Sequence, residues 1–262
     1  MSAFLGMKYP DAIRVLTDGT AYDYETGTVG EIKNKAVCSS EAPFMVTGRG
    51  KSGAVDMVAR DLARFADEHG VDMALLRASA IGRKLKNDGD HGGRHAGRKP
   101  APFDLLIVGW SETEGPKQYS LSTLEISPGF PPYELHDMGD IALGGPQPTD
   151  DQLFALYRRS GFVPGNPQFM EKCGADLFEL MRRAPPELNI YGGKLEYTIG
   201  GHCQLTTITE TGALTETLRV WPDEVGKPIN PFADAGEVVP LLNARRAQQR
   251  AEKAEKRLAD RA

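Results

Sequence analysis

The residue type with the most chemical promise stands second in the chain. Met1 is followed by Ser2 and Ala3, and a small residue after Met permits removal of the initiator. Ser2 would then carry both a hydroxyl and a free α-amino group. An α-amine has a pKa of roughly 8, close enough to neutrality to act as a general base. One residue could thus supply both halves of an activated nucleophile. Met-Ser is an ordinary beginning, so the residues beyond it decide. Asp18-Gly19 ends an apolar run, Lys33 and Lys35 sit in a polar stretch, and Gly48-Arg49-Gly50 precedes a helical pattern. Taken singly, Asp18-Gly19 is a turn pair and Lys35 an ordinary strand lysine.

Other reactive side chains point to less. His69, His136 and His202 are isolated and read as surface or satisfied core residues. His91 and His95 have two glycines between them, which disfavours a helix presenting both to one metal. No metal site and no cofactor is expected, and nucleotide and zinc chemistry find no support. Cys38, Cys173 and Cys203 are scattered and odd in number, so they outline no disulfide framework and suggest a reducing, cytoplasmic setting. Cys203 reads as a small buried hydrophobe.

The 262 residues are 40% hydrophobic and 26% charged with a net charge of −5, the balance of a soluble globular domain that can bury a core. That charge does not favour general nucleic-acid binding. There is no apolar run long enough for a bilayer and no signal-peptide pattern at the start. Residues 243–262 hold seven Lys/Arg against three Asp/Glu, a net +4 that leaves −9 on the rest. This tail predicts a charged, solvated helix.

The elements that must position these residues are read from periodicity. Residues 2–9 and 12–17 predict two strands around Tyr9-Pro10-Asp11, and 20–28 is polar and turn-rich. Residues 31–38 and 42–47 predict a second pair, closed by Gly48-Arg49-Gly50. Val55, Val58, Leu62 and Phe65 recur at helical spacing, and a second helix is expected over about 72–81. Residues 82–101 are Gly-rich and basic, which predicts a mobile surface loop within a single domain over 1–242. FDLLIVGW at 103–110 reads as a strand buried on both faces, with 119–123 as its antiparallel neighbour. One or two strands over 133–143, helices at 149–160 and 167–183, and strands at 195–199 and 202–209 follow, with a final edge segment at 234–241. Strands and helices come in blocks, the pattern of a layered α+β architecture with mainly antiparallel sheets.

From Ser2 to about Gly212 the order of these pieces resembles the proteasome-like branch of the N-terminal-nucleophile (Ntn) hydrolases. The residues that carry the resemblance are Ser2, the strand Ala12–Thr17 ending at Asp18, Lys35, Gly48-Arg49-Gly50, FDLLIVGW with GPKQYSL, IALGGP at 141–146 and GGHCQLTTIT at 200–209. Ser stands where that family more often has Thr, and the Asp18-to-Lys35 spacing is about one residue longer than usual, so Lys33 competes with Lys35 as the site lysine. The resemblance implies an αββα sandwich with helices on the outer faces. It further implies that Ser2 attacks an amide or peptide bond, that Lys35 tunes the amine and is held by Asp18, and that a backbone N–H of a Thr47-Gly48-Arg49 turn stabilises the oxyanion. It implies homo-oligomers or larger assemblies as well. A second expectation is a catalytically silent subunit that uses the same sandwich for assembly, as in a phage or bacterial multi-subunit particle.

Overall fold

The computed structural model describes residues 3–95, 101–125, 129–188 and 195–233. Two strands, β1 (Phe4–Lys8) and β2 (Ile13–Asp18), pair antiparallel across the Pro10-Asp11 turn. A small hairpin follows, β3 (Thr20–Asp23) with β4 (Thr28–Ile32), and then β5 (Val37–Cys38) and β6 (Phe44–Gly50). Helices α1 (Ser52–His69) and α2 (Val71–His95) lead into the long strands β7 (Phe103–Ser111) and β8 (Gly115–Ser122). After β9 (Leu135–Asp137) and β10 (Ile141–Gly144) come α3 (Asp150–Ser160) and α4 (Phe169–Arg182). The short pair β11 (Glu187–Leu188) and β12 (Leu195–Glu196) precedes β13 (His202–Thr209) and β14 (Gly212–Val220).

The fold is mixed α+β, with two five-stranded sheets ordered β10-β1-β2-β13-β14 and β5-β6-β7-β8-β9. Every strand pair in both is antiparallel. Three apolar clusters explain how the layers hold together. Leu5, Leu16 and Leu205 of the first sheet pack on Phe169, Phe178 and Met181 of α4. Phe44, Leu105 and Ile107 of the second sheet pack on Val58, Leu62 and Ala74 of α1 and α2. Between the sheets, Phe4, Val15 and Ile208 meet Met45, Leu106 and Val108. Successive strand residues face opposite ways, so β7 sends Leu105 and Ile107 to the helices and Leu106 and Val108 to the other sheet. That is why its sequence is a near-continuous apolar run.

Several expectations need correction. The loop expected at 82–101 is helical through His95, because α2 does not stop at residue 81. Gly82 lets the helix pass the 130s segment, since a Cβ there would fall 2.3 Å from the Tyr133 carbonyl oxygen. Beyond it, Arg83, Lys84, Leu85 and Lys86 are good helix formers, and local propensity outweighs the glycine content. Residues 31–38 do not form one strand. β4 ends at Ile32 and β5 begins at Val37, because Lys33, Asn34 and Lys35 leave the hairpin for three different partners. Residues 20–28, expected as turn-rich, build the β3–β4 hairpin. Strand β14 was not expected, although the turn at Glu210-Thr211 and the Thr/Glu alternation after Gly212 carry its signal. The segment 234–241, the tail 243–262 and residues 96–100 lie outside the described residues.

Leu106 is fully buried at the junction of the sheets. Leu106→Ala is expected to lower unfolding free energy by about 2–5 kcal/mol, read as a lower urea midpoint. Leu76→Ala on the exposed side of α2 should stay within about 0.5 kcal/mol of wild type.

Candidate active site

Asp18 ends β2 with no solvent exposure. A carboxylate so placed needs donors on both oxygens, and the surrounding backbone supplies them. The Ala3 N–H donates to Oδ1 at 3.0 Å. The Thr20 N–H and hydroxyl donate to Oδ2 at 3.2 and 2.9 Å, and the Gly200 N–H reaches the same oxygen at 3.4 Å. Lys35 Nζ completes the set at 2.8 Å from Oδ1 and 2.9 Å from Oδ2.

The two candidate lysines therefore separate. Lys33 and Lys35 leave the extended chain on one side but go different ways. Lys33 Nζ reaches Asp56 Oδ2 at 2.5 Å and Ser52 Oγ at 3.3 Å on α1, while Lys35 takes Asp18. Asn34, on the opposite side, accepts from Gln204 Nε2 at 2.7 Å. Burial pushes the Lys35 ammonium below its usual pKa, Asp18 opposes that shift, and the positive charge of Lys33 adds to it.

Ser2 lies outside the described residues. What is described is the nitrogen to which it is bonded, Ala3 N, which lies 3.0 Å from Asp18 Oδ1. The first strand thus starts on the same carboxylate that holds Lys35.

Thr47, Gly48 and Arg49 do not form a turn. They belong to β6, opposite Leu106, Leu105 and Asp104 of β7. Gly48 is admitted because a Cβ there would fall 2.6 Å from the Asp104 carbonyl oxygen. The ladder decides where their N–H groups point. Lys51 N donates to Pro102 O at 3.0 Å and Trp110 N to Pro43 O at 2.9 Å, which marks the odd-numbered residues of β6 as the ones bonded to β7. Thr47 and Arg49 are therefore used by β7, and the Gly48 N–H faces the β5 side. There Val46 opposes Val37 and Ser39 N donates to Phe44 O at 2.9 Å. Two residues further in that register, past the end of β5, Gly48 comes opposite Lys35. Of the three residues singled out in the sequence, Gly48 alone can offer its N–H to the site.

Sequence reasoning missed five contributors. Thr20 and Gly200 bond Asp18 as described. The His202 ring lies on Gly19, where a Cβ would be 2.4 Å from Cε1. Burial pushes the His202 pKa below its usual value, the Gln204 hydrogen bond and Asp18 oppose the shift, and Lys35 adds to it. Ser52 and Asp56 draw Lys33 away. The sequence places Gly200-Gly201 between two strands and His202 at the start of the second, and only the β2–β13 pairing, Cys203 opposite Asp18, brings them to the site. Residues 48–53 also fit the spacing G-x-G-x-x-G between β6 and α1. The strands around them are antiparallel, so the parallel strand–helix–strand unit of a dinucleotide fingerprint is missing there.

Lys35 and Gly48 open onto a cleft walled by Tyr22, Tyr24, Lys33 and Arg49. Among the described residues no group of three or more His, Cys, Asp or Glu is arranged to hold a metal, and no helix is long and apolar enough to cross a membrane. Compared with known protein families and with curated proteins, the sequence matches none.

Two outcomes follow from the buried charges. Asp18→Asn leaves the Lys35 ammonium buried without its counter-charge, so a loss of about 3–5 kcal/mol is expected by denaturant unfolding, with part of it recovered in Asp18→Asn/Lys35→Met. His202 resists protonation when folded, whereas the unfolded chain takes up its proton near pH 6.5. The folded state is therefore expected to lose stability as pH falls below about 6.5. His202→Gln should flatten that part of the melting-temperature profile, and an unchanged profile would contradict the assignment.

Proposed function

We propose that the chain adopts the Ntn-hydrolase arrangement and hydrolyses an amide or peptide bond with Ser2, once Met1 is removed. One observation carries this reading: the Ala3 N–H and the Lys35 ammonium share the buried carboxylate of Asp18. An N-terminal nucleophile needs its own amine as base and a nearby fixed cation to lower that amine's proton affinity. A chain start anchored on the lysine's counter-ion supplies that proximity.

In this reading the Ser2 hydroxyl attacks the carbonyl carbon while its amine, directly or through a water, takes the proton. Lys35 keeps the amine near neutrality by its positive charge, and Asp18 holds Lys35. The Gly48 N–H donates to the developing oxyanion, a contact of about 2.7–4 kcal/mol in such sites. The amine then returns its proton to the leaving nitrogen, and water releases the acyl group by the same route.

Intact-mass measurement on the purified protein should find a chain that begins at Ser2 with an unmodified amine. Against a panel of fluorogenic peptide amides, Ser2→Ala is expected to abolish turnover, and Lys35→Met to cost about 10²–10⁴-fold in kcat. Retention of Met1, acetylation of Ser2, or undiminished turnover in Ser2→Ala would each overturn the mechanism in favour of a silent assembly subunit built on the same layers.

A further inference from the structure

We propose that the cleft beside Lys35 binds an acidic side chain, that of the residue whose carbonyl is attacked, with Arg49 as its anchor. The bond cut rests on the reading of Ser2 given above; the recognition of the acid stands on the cleft itself.

Among the described residues the wall carries three cations, Lys33, Lys35 and Arg49, and one carboxylate, Asp56. What matters is which of their hydrogen-bonding groups are already engaged. Lys35 is committed to Asp18. Lys33 and Asp56 are committed to each other, so the one carboxylate among the described lining residues already has a cation. Arg49 differs. Its Nε donates to Asp104 Oδ2 at 3.3 Å, and Asp104 is itself buried and accepts from Ser120. That contact fixes the plane of the guanidinium, while Nη1 and Nη2 make no hydrogen bond to the described residues. The cleft therefore offers spare donors on a pre-oriented fork and an acceptor that is already occupied.

Two further features favour an anion with a short apolar stem. The cleft lies at the N-terminal end of α1, whose cap residue Lys51 makes no side-chain cap and whose first turn has no acidic residue. That end of the helix dipole adds positive potential. Tyr22 and Tyr24 stand edge to face with ring centroids 6.1 Å apart, an apolar wall for one or two methylenes. A planar fork meeting a carboxylate in two parallel bonds is the geometry in which Arg outperforms Lys.

The test uses the full chain carrying Ser2→Ala, so that binding is read without turnover, and three probes: acetyl-Ala-Ala-Glu amide, acetyl-Ala-Ala-Leu amide and sodium acetate. By NMR titration the Glu peptide is expected to bind at least tenfold tighter than the Leu peptide and to weaken as salt is raised. Arg49→Met should erase the difference, and Arg49→Lys, which keeps the charge without the fork, should retain only part of it. Equal binding of the two peptides, a Glu preference that survives Arg49→Met in a folded protein, or acetate competing as well as the peptide would each overturn the proposal. Its failure is separable from that of the hydrolase reading. Glu-selective binding without any hydrolysis by the Ser2 form sinks the hydrolase and leaves the pocket. Hydrolysis by Ser2 with no preference for acidic peptides does the reverse.

Discussion

The buried pair of Asp18 and Lys35 is the contact on which the arrangement around it depends. A carboxylate with no exposure and a lysine nearly as buried are tolerable only together, because either charge left alone in that environment is costly. Their pairing also needs backbone donors on the remaining lone pairs, and those come from three separate segments: the chain start at Ala3, the β2–β3 corner at Thr20, and Gly200 ahead of β13, while Lys35 itself arrives from the β4–β5 crossing. One charge pair thus fixes the relative positions of pieces far apart in sequence. Losing it releases the chain start and the lysine together.

The segment that brings Gly200 to Asp18 is itself held by a second buried pair. Arg182, at the end of α4, bonds Asp223 at 2.7 Å with both terminal nitrogens and donates to the Ile199 carbonyl at 2.6 Å. Asp223 also accepts from the Gly201 N–H at 2.8 Å. The turn at Gly200-Gly201 is therefore pinned from the α4 side, and its backbone is delivered to Gly19 and Asp18 on the other. Glycine is required at 200, where a Cβ would fall 2.5 Å from Asp223, and at 19, where it would strike His202. At both positions a neighbouring side chain lies against bare glycine backbone, which leaves no room for a Cβ.

Much of this was legible in the sequence, and the parts that were not have physical reasons. Strands β1, β2, β7 and β8 and helices α3 and α4 announced themselves through strong periodicity and clear punctuation. The Asp18-to-Lys35 pairing came from a resemblance in motif order, because nothing local in Asn34-Lys35 distinguishes it from Lys33-Asn34. The choice between the lysines is made by Asp56, which sits on another element and only competes for Lys33 once α1 is in place. The glycines of 82–95 suggested a loop because composition does not reveal what a helix packs against. Gly48-Arg49-Gly50 suggested a turn for the same reason: its glycines answer to the crowding of β7, not to a reversal of the chain.

The location of the site explains why so much of it is tertiary. Asp18 belongs to the first sheet and Gly48 to the second, and Lys35 lies on the connection that crosses from the β3–β4 hairpin into the second sheet. The distance from the carboxylate to the Gly48 N–H is thus set by how the two sheets face each other, a spacing fixed by Phe4, Val15, Leu106, Val108 and their neighbours. Close-packed interiors shift little and resist gradual deformation, so the apolar layer acts as the spacer of the polar one. A cavity opened at Leu106 is then felt in two places: in the stability of the two packed sheets, and in the register between the lysine and the backbone donor that the proposed chemistry needs within a fraction of an ångström.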